Sequence, residues 1–573
     1  MRAPPLAIAL LLVGTAIPFV TADGPASTTL DGYFATRDGT LLKWQAVLPG
    51  DGSGSYPTLF TYDGYDAGSV VDPGYVARFV PQGYAMVGVS IRGTGCSGGT
   101  MDFFEPKQAE DGYDAVEWIA SQPWSEGKIA MVGKSYPGIT QLFVAAQQPP
   151  HLVAVAPGHV YGDIYRDVAY PGGIFNYAFA GLWAFVAQPE PGYEAALTAS
   201  AAGDSICAQN MLTHTATNAR WNAFVQAQEH AFDDDLIKER SPYYLVQNIT
   251  VPTYLFQSWQ DEQVGVRGMD IIQKMQAPYW ITLSNGDHGM YRTPQALDRL
   301  NAFFNHTVRG EANGWEQTPR VTVWWDAGAS GARAPSWTTS YDAFPSDQTP
   351  TSLALSEGGV LGGASTGAPD AYLYPAGSTS NGAGYGFGPA NPPTDQLRTP
   401  APTRVAYTTA PLADDTVVLG SANLTLWLAS TAADTDVEVV LNEVRPDGKV
   451  VYVQKGWLRA SHRELDGARS SEFKPFHTHT SLQPLTPGEP TRLDIEIFAL
   501  GHAFRAGSRI QLVVEAPNNI PELWGFTNEP VPAVNLVWHD AEHPSALKLP
   551  VLAGVHAPTP LPGCGSLIRQ SCV

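Results

Sequence analysis

The sequence predicts an α/β protein: a mostly parallel sheet covered by helices, interrupted by a helical insertion and followed by a β jelly roll. Three observations carry this. From residue 28 to about 148, short β-branched and aromatic runs alternate with an amphipathic helical stretch. Over 153–245 the strand runs give way to helical patterns. Beyond 321 helices nearly vanish, and short strands punctuated by Pro and Gly take over. The chain therefore divides into a first core part (28–152), a helical cap (153–245), a second core part (246–320) and a C-terminal jelly roll (321–573).

In chain order, 41–47, 58–62, 84–91 and 129–132 read as strands. Between the last two lies 109–122, where Tyr113, Val116, Ile119 and Ala120 mark one helical face. Strand, helix, strand in that order calls for parallel pairing. In the insertion, 177–188, 193–202 and 219–232 read as helices, and no strand run stands out. The βα pattern resumes with a strand at 253–259, a helix at 265–275, a strand at 279–284 and a helix at 294–305. Strands at 424–429, 437–441, 450–453, 492–499 and 510–515 build the jelly roll, and 365–393 is a Gly/Pro-rich loop.

Composition narrows the function classes. With 44% hydrophobic residues and 15 Trp the chain can build several cores, which excludes disorder. Its 56 Gly and 47 Pro exclude a coiled coil. A net charge of −22 without a Lys/Arg block argues against nucleic acid as a partner. Neutral or cationic small substrates fit, and a homo-oligomer is allowed. Residues 1–22 read as a signal peptide: Arg2, an apolar run from Leu6 to Ile17, then Val20-Thr21-Ala22 before Asp23. No later run is long enough to span a membrane, so a secreted or periplasmic protein is expected. The four cysteines then permit two disulfides: Cys564 with Cys572 in a small loop, leaving Cys96 with Cys207. Asn248, Asn305 and Asn423 begin Asn-x-Thr sequons.

The sharpest chemical feature is Gly133-Lys134-Ser135-Tyr136-Pro137-Gly138, where a strand runs into a Ser among small residues and then into a helix. That is the build of a nucleophile elbow, although the second Gly stands three places after the Ser instead of two. Chain order supplies the partners. The strand at 253–259 ends in Gln260-Asp261, and that at 279–284 in Asn285-Gly286-Asp287-His288. Both lie at carboxyl ends of strands, where open α/β sheets keep their sites. Ser135, His288 and Asp261 are thus the candidate nucleophile, general base and imidazole-orienting acid. Asp287 is a rival acid, awkwardly adjacent to His288. His151, His159, His214 and His230 are rival bases that read better as surface or core residues. Gly93-Thr94-Gly95-Cys96-Ser97-Gly98 matches a dinucleotide fingerprint but opens no helix, so no cofactor is expected. His477 and His479 share one strand face without a third ligand, so no metal is expected either. Asp233-Asp234-Asp235 reads as a solvated turn or cap.

Asp111-Gly112-Tyr113-Asp114-Ala115-Val116-Glu117-Trp118-Ile119-Ala120-Ser121-Gln122-Pro123-Trp124, with the elbow that follows, resembles the cocaine esterase/X-Pro dipeptidyl-peptidase family of serine hydrolases. The likeness runs over nearly the whole chain after the leader. It implies an α/β-hydrolase core, an inserted cap and a C-terminal jelly roll. It assigns Ser135, Asp261 and His288 as the triad, and implies an oxyanion hole formed by the Tyr65 hydroxyl and the Tyr136 backbone N–H.

The expected substrate is a small ester or a short peptide, cleaved through an acyl-enzyme. A dipeptidase needs carboxylates for a free α-ammonium, and Asp163, Asp167 and Glu262 are the candidates. Trp183, Phe185 and Trp221 of the cap offer an aromatic acyl pocket or simply cap packing. Two alternatives stay open: an α-amino acid ester hydrolase or β-lactam acylase, whose acidic pair after the triad Asp is not reproduced in Glu262-Gln263-Val264, and a non-catalytic carbohydrate- or partner-binding protein.

Overall fold

The computed structural model describes residues 27–178, 193–218, 223–345, 348–375, 401–517 and 524–573. The expected leader (1–22) and Trp183, Phe185 and Trp221 lie outside the described residues.

The first sheet has ten strands: β1 (Ser27–Ala35), β2 (Leu41–Pro49), β3 (Tyr56–Asp63), β4 (Ala85–Ser90), β5 (Ser125–Lys134), β6 (Leu152–Gly158), β7 (Thr253–Ser258), β8 (Tyr279–Ser284), β9 (Val321–Trp325) and β10 (Trp337–Tyr341). Their spatial order is β1-β2-β4-β3-β5-β6-β7-β8-β9-β10. From β4 to β9 every pairing is parallel; for example Leu59 faces Ala130 and Leu255 faces Ile281. Helices cover both faces of these strands, so β4 and β7 are buried at every position and read as continuous apolar runs. The helices α1 (Pro73–Phe79), α2 (Pro106–Ala120) and α3 (Tyr136–Ala146), and the later helix Pro294–Thr307, each carry Pro in the first turn, where no N–H is missed.

Two boundaries move from the sequence expectation. Residues 153–158, expected inside the helical cap, belong to β6 (Leu152–Gly158), between β5 and β7. Its Leu-Val-Ala-Val-Ala-Pro-Gly sequence is short and apolar, and periodicity does not separate such a run from a buried helix. Residues 321–341, expected to open the jelly roll, instead pair with β8 as β9 and β10. The described cap comprises the helices Tyr193–Ala201, Ser205–Thr217, Ala223–Glu229 and Asp235–Glu239.

The C-terminal β region contains β11 (Thr349–Ser356), β12 (Val360–Leu361), β13 (Asp370–Tyr374), β14 (Arg404–Thr408), β15 (Thr416–Ser430), β16 (Asp436–Val444), β17 (Val450–Arg459), β18 (Thr491–Phe504), β19 (Arg509–Glu515), β20 (Ala533–Trp538) and β21 (Ala546–Val551). One layer pairs β13, β20, β15, β21 and β11, with β18 on β15; the other runs β12-β14-β19-β16-β17. Leu424, Leu426, Val439, Leu441, Ile495 and Leu512 fill the core between them. A separate apolar cluster crosses the domain boundary, joining Trp259, Val264 and Val266 to Trp457, Phe498 and Trp524. The jelly roll is thereby packed against the loop that follows β7.

Candidate active site

Ser135 sits where β5 turns into α3, at φ 62° and ψ −133°, a left-handed backbone that costs a side-chain-bearing residue energy. The turn is closed by steric contact. A Cβ on Gly133 would lie 2.7 Å from Pro137 Cβ, and one on Gly138 would lie 2.7 Å from Gly158 O. Ser is a favoured N-cap residue, yet the Ser135 side chain makes no capping hydrogen bond. The Ser135 N–H donates instead to Gly158 O at the end of β6 (2.9 Å). Tyr136 is the first residue of α3, so its N–H belongs to the helix N-terminus, which favours negative charge.

Asp261 follows β7 and His288 follows β8. His288 Nδ1 lies 2.8 Å from Asp261 Oδ2 and 3.0 Å from Oδ1. The carboxylate also accepts the backbone N–H groups of Gln263 (2.8 Å) and Val264 (3.2 Å). Burial raises the Asp261 pKa, but two imidazoles more than offset it and hold the group below the usual carboxylate range. His288 is pulled down to about 4, chiefly by burial, with Asp261 opposing and Lys134 assisting. Its Nε2 is buried and has no hydrogen-bond partner among the described residues. Lys134, beside the Ser, is itself lowered to about 8 by burial.

The second imidazole on Asp261 is His159, just beyond β6. His159 Nδ1 is 2.8 Å from Asp261 Oδ2, while the Tyr291 N–H donates to His159 Nε2 (3.3 Å). From sequence this residue reads as core or surface. It is fully buried, but it makes a polar contact to the candidate acid. No motif marks it; the one available signal was its position at the carboxyl end of a strand that went unrecognised.

The other candidates fall as follows. Asp287 pairs with Arg333 and accepts the Gly289 N–H (2.8 Å), away from the imidazole. His151 bonds Glu117 at the surface and His230 bonds Asp234, while His214 lies on the cap helix Ser205–Thr217. Glu262 accepts the backbone N–H of His288 (3.0 Å) and lies 3.5 Å from Arg569 Nε in the C-terminal segment. Asp163 and Asp167 are buried and each is paired with an arginine. Arg166 Nη1 reaches Asp163 and Asp233, each at 2.7 Å, and Arg267 Nε reaches Asp167 at 3.0 Å. Asp233, expected as part of a solvated turn, is thus a buried ion-pair partner. Arg166 Nη2 also donates to the carbonyls of His477 (2.9 Å) and Thr478 (3.1 Å) in the jelly roll. Tyr65 is 46% exposed, with its ring edge-on to Tyr136 at 5.8 Å.

Cys96 is bonded to Cys207 and Cys564 to Cys572. The first bond ties the glycine-rich loop to a cap helix, and that loop is further held by Asn210 and Asn218 side chains on Cys96 O (2.8 Å) and Gly93 O (2.9 Å). It is a connector that anchors the cap. Among the described residues, two side-chain groups have ligand atoms close enough to hold a metal: Cys96 with Asp204 and Cys207, and His159 with Asp261 and His288. The first is closed by its disulfide. In the second, Tyr291 fixes the His159 proton on Nδ1, so that contact is already an N–H to carboxylate bond.

Residues 38–290 match the X-Pro dipeptidyl-peptidase (S15) family, and residues 313–548 match that family's C-terminal non-catalytic domain. The chain belongs to the S15 hydrolases. Cocaine esterase of Rhodococcus sp. (strain MB1 Bresler) is 26% identical to this S15 hydrolase, over 92% of this chain and 99% of its own. A putative serine esterase of Mycobacterium bovis is 25% identical, over 83% of this chain and 84% of its own. A CocE/NonD family hydrolase from Staphylococcus aureus superposes with a TM-score of 0.74 at 24% identity, covering 91% of this chain and 93% of its own, and so shares its fold. The second S15 region, 313–548, begins ahead of β9, so it includes two strands that the structure adds to the first sheet.

Proposed function

We propose that this S15 hydrolase cleaves a small ester or amide through Ser135, His288 and Asp261, by way of an acyl-enzyme. The observation that carries the reading is the state of His288: Nδ1 is engaged by Asp261, and Nε2 is buried and without a hydrogen-bond partner among the described residues. A general base needs one ring nitrogen held and the other open to the nucleophile's proton. His159 is excluded as the base because its Nε2 already accepts the Tyr291 N–H. Nε2 of His288 takes the Ser135 proton as Oγ attacks the carbonyl carbon, then delivers it to the leaving group. In the second half-reaction the same nitrogen deprotonates water, which attacks the acyl carbon and releases Ser135. The Tyr136 N–H and the Tyr65 hydroxyl stabilise the oxyanion.

Ester cleavage is the favoured activity within this reading. The three carboxylates that the sequence offered for an α-ammonium are committed: Asp163 to Arg166, Asp167 to Arg267, and Glu262 to the His288 backbone and Arg569. We further propose that residues 1–22 direct export, a reading supported by the two disulfides, which persist in oxidising compartments.

A fluorophosphonate probe tests the mechanism: wild type is labelled at Ser135 and Ser135→Ala is not. An unlabelled but folded wild type refutes the nucleophile and supports a binding protein. Aryl esters are hydrolysed faster than Gly-Pro-anilide. The reverse order overturns the ester preference while leaving the triad in place.

A further inference from the structure

We propose that His159 is a positioning residue for this hydrolysis, holding Asp261 with its Nδ1–H so that His288 works against a carboxylate whose charge is already shared. The inference rests on the triad reading above and extends it to a residue outside the triad.

The tautomer follows from the contacts. The Tyr291 N–H points to Nε2 (3.3 Å), which makes that nitrogen the acceptor and leaves the proton on Nδ1, facing Asp261 Oδ2 at 2.8 Å. Tyr291 lies three residues after His288, so the segment carrying the base also fixes the ring that steadies the acid. His159 adopts φ 48°, a left-handed conformation that a branched or bulky residue reaches only at a cost. The residue before it, Gly158, accepts the Ser135 N–H, and a Cβ there would meet the Tyr291 ring at 2.2 Å. The turn at Gly158-His159 therefore touches the elbow, the acid loop and the base loop together.

Asp261 is fully subscribed. Oδ1 takes two backbone N–H groups and part of the His288 bond, while Oδ2 takes both imidazoles at 2.8 Å. Two donors on one oxygen divide its charge, so the carboxylate stabilises a His288 imidazolium less than it would alone. Removing His159 leaves a buried lone pair and gives more of that charge to His288. The other charged groups around the base stay as they are: Lys134 at the elbow, Glu262 with Arg569 after β7, and Asp287 with Arg333 on the base's own loop.

The test compares His159→Asn with His159→Leu. Asn places an amide N–H near the position of Nδ1 and tolerates left-handed backbone, whereas Leu has no donor. On an activated ester, the acid limb of kcat/KM in His159→Asn stays with wild type. In His159→Leu it moves up by about one pH unit, the order of what one hydrogen bond to a carboxylate does to a pKa, and kcat falls while KM holds. A limb that does not move in folded His159→Leu, with Ser135 still labelled by the fluorophosphonate, overturns this inference and spares the triad. Loss of Ser135 labelling in wild type overturns the triad itself. A second measurement needs no variant that might misfold: residue-assigned proton NMR of the wild-type protein shows a low-field imidazole N–H resonance from His159 Nδ1 beside that of His288, distinct from the resonance of His502 on Glu443. Absence of the assigned His159 resonance in the wild-type protein refutes the His159 contact.

Discussion

Replacing Arg166 by Met is the perturbation with the largest calculable effect on stability. The guanidinium is 4% exposed, and its partners Asp163 and Asp233 are 7% and 4% exposed. Water therefore cannot take over either carboxylate when the cation is removed. Breaking a buried pair by deleting one partner costs about 3–5 kcal/mol, because the remaining charge is stranded. The triple variant Arg166→Met/Asp163→Asn/Asp233→Asn removes the stranded charge as well, and recovers all but about 1–2 kcal/mol of the loss. Urea unfolding, read on the first transition since the chain has more than one domain, measures both. The pH dependence gives a check on sign. Without Arg166 both carboxyls have folded pKa values above their unfolded ones, so the folded state binds protons more readily. Its stability is then greatest below the unfolded pKa and is lost as pH rises through the folded pKa, so the deficit of the single variant narrows between pH 7 and pH 5. A single variant that loses less than about 1 kcal/mol, the value of an exposed pair, refutes the argument. So does a triple variant no more stable than the single.

Three further outcomes are expected. His288 is neutral above a pKa lowered to about 4, so kcat/KM holds its plateau through pH 5 and falls by half near pH 4; an acid limb near the ordinary imidazole value shows that burial does not dominate. Tyr65→Phe lowers kcat by roughly 10²–10³-fold with little change in KM, the cost of one oxyanion donor, and an unchanged kcat removes Tyr65 from the oxyanion hole. The Cys96–Cys207 bond closes a separation of 111 residues, so the Cys96→Ser/Cys207→Ser variant loses roughly 4–5 kcal/mol by chain entropy and is cleaved first in the cap under limited proteolysis; a proteolytic pattern like that of wild type contradicts the tether.

The parallel strands were legible because they are short apolar runs bounded by turn residues, and the elbow because its glycines are required by contacts of 2.7 Å within and beside the turn. Asp261 and His288 were found from chain order, since each ends a readable strand. β6 was not legible: with Ala, Pro and Gly among its seven residues it lacks the aromatic side chains, Tyr254 and Phe256, that marked β7. Losing β6 also hid His159, because a residue just past a strand that is not seen has no address in the sheet. The fates of Asp167, Asp233 and Glu262 were hidden for another reason. Each depends on an arginine brought in by tertiary folding, and nothing in local sequence pairs Asp233 with Arg166 or Glu262 with Arg569.

The Arg569–Glu262 contact has a consequence for the order of synthesis. Glu262 holds the His288 backbone N–H, and its cation, Arg569, follows the last jelly-roll strand in sequence. Translation at about 5–20 residues per second separates the emergence of these two residues by tens of seconds. During that interval the nascent chain already contains Ser135, Asp261 and His288 but not the cation that neutralises Glu262. A chain stalled inside the jelly roll thus carries the proposed triad without the ion pair behind the His288 loop.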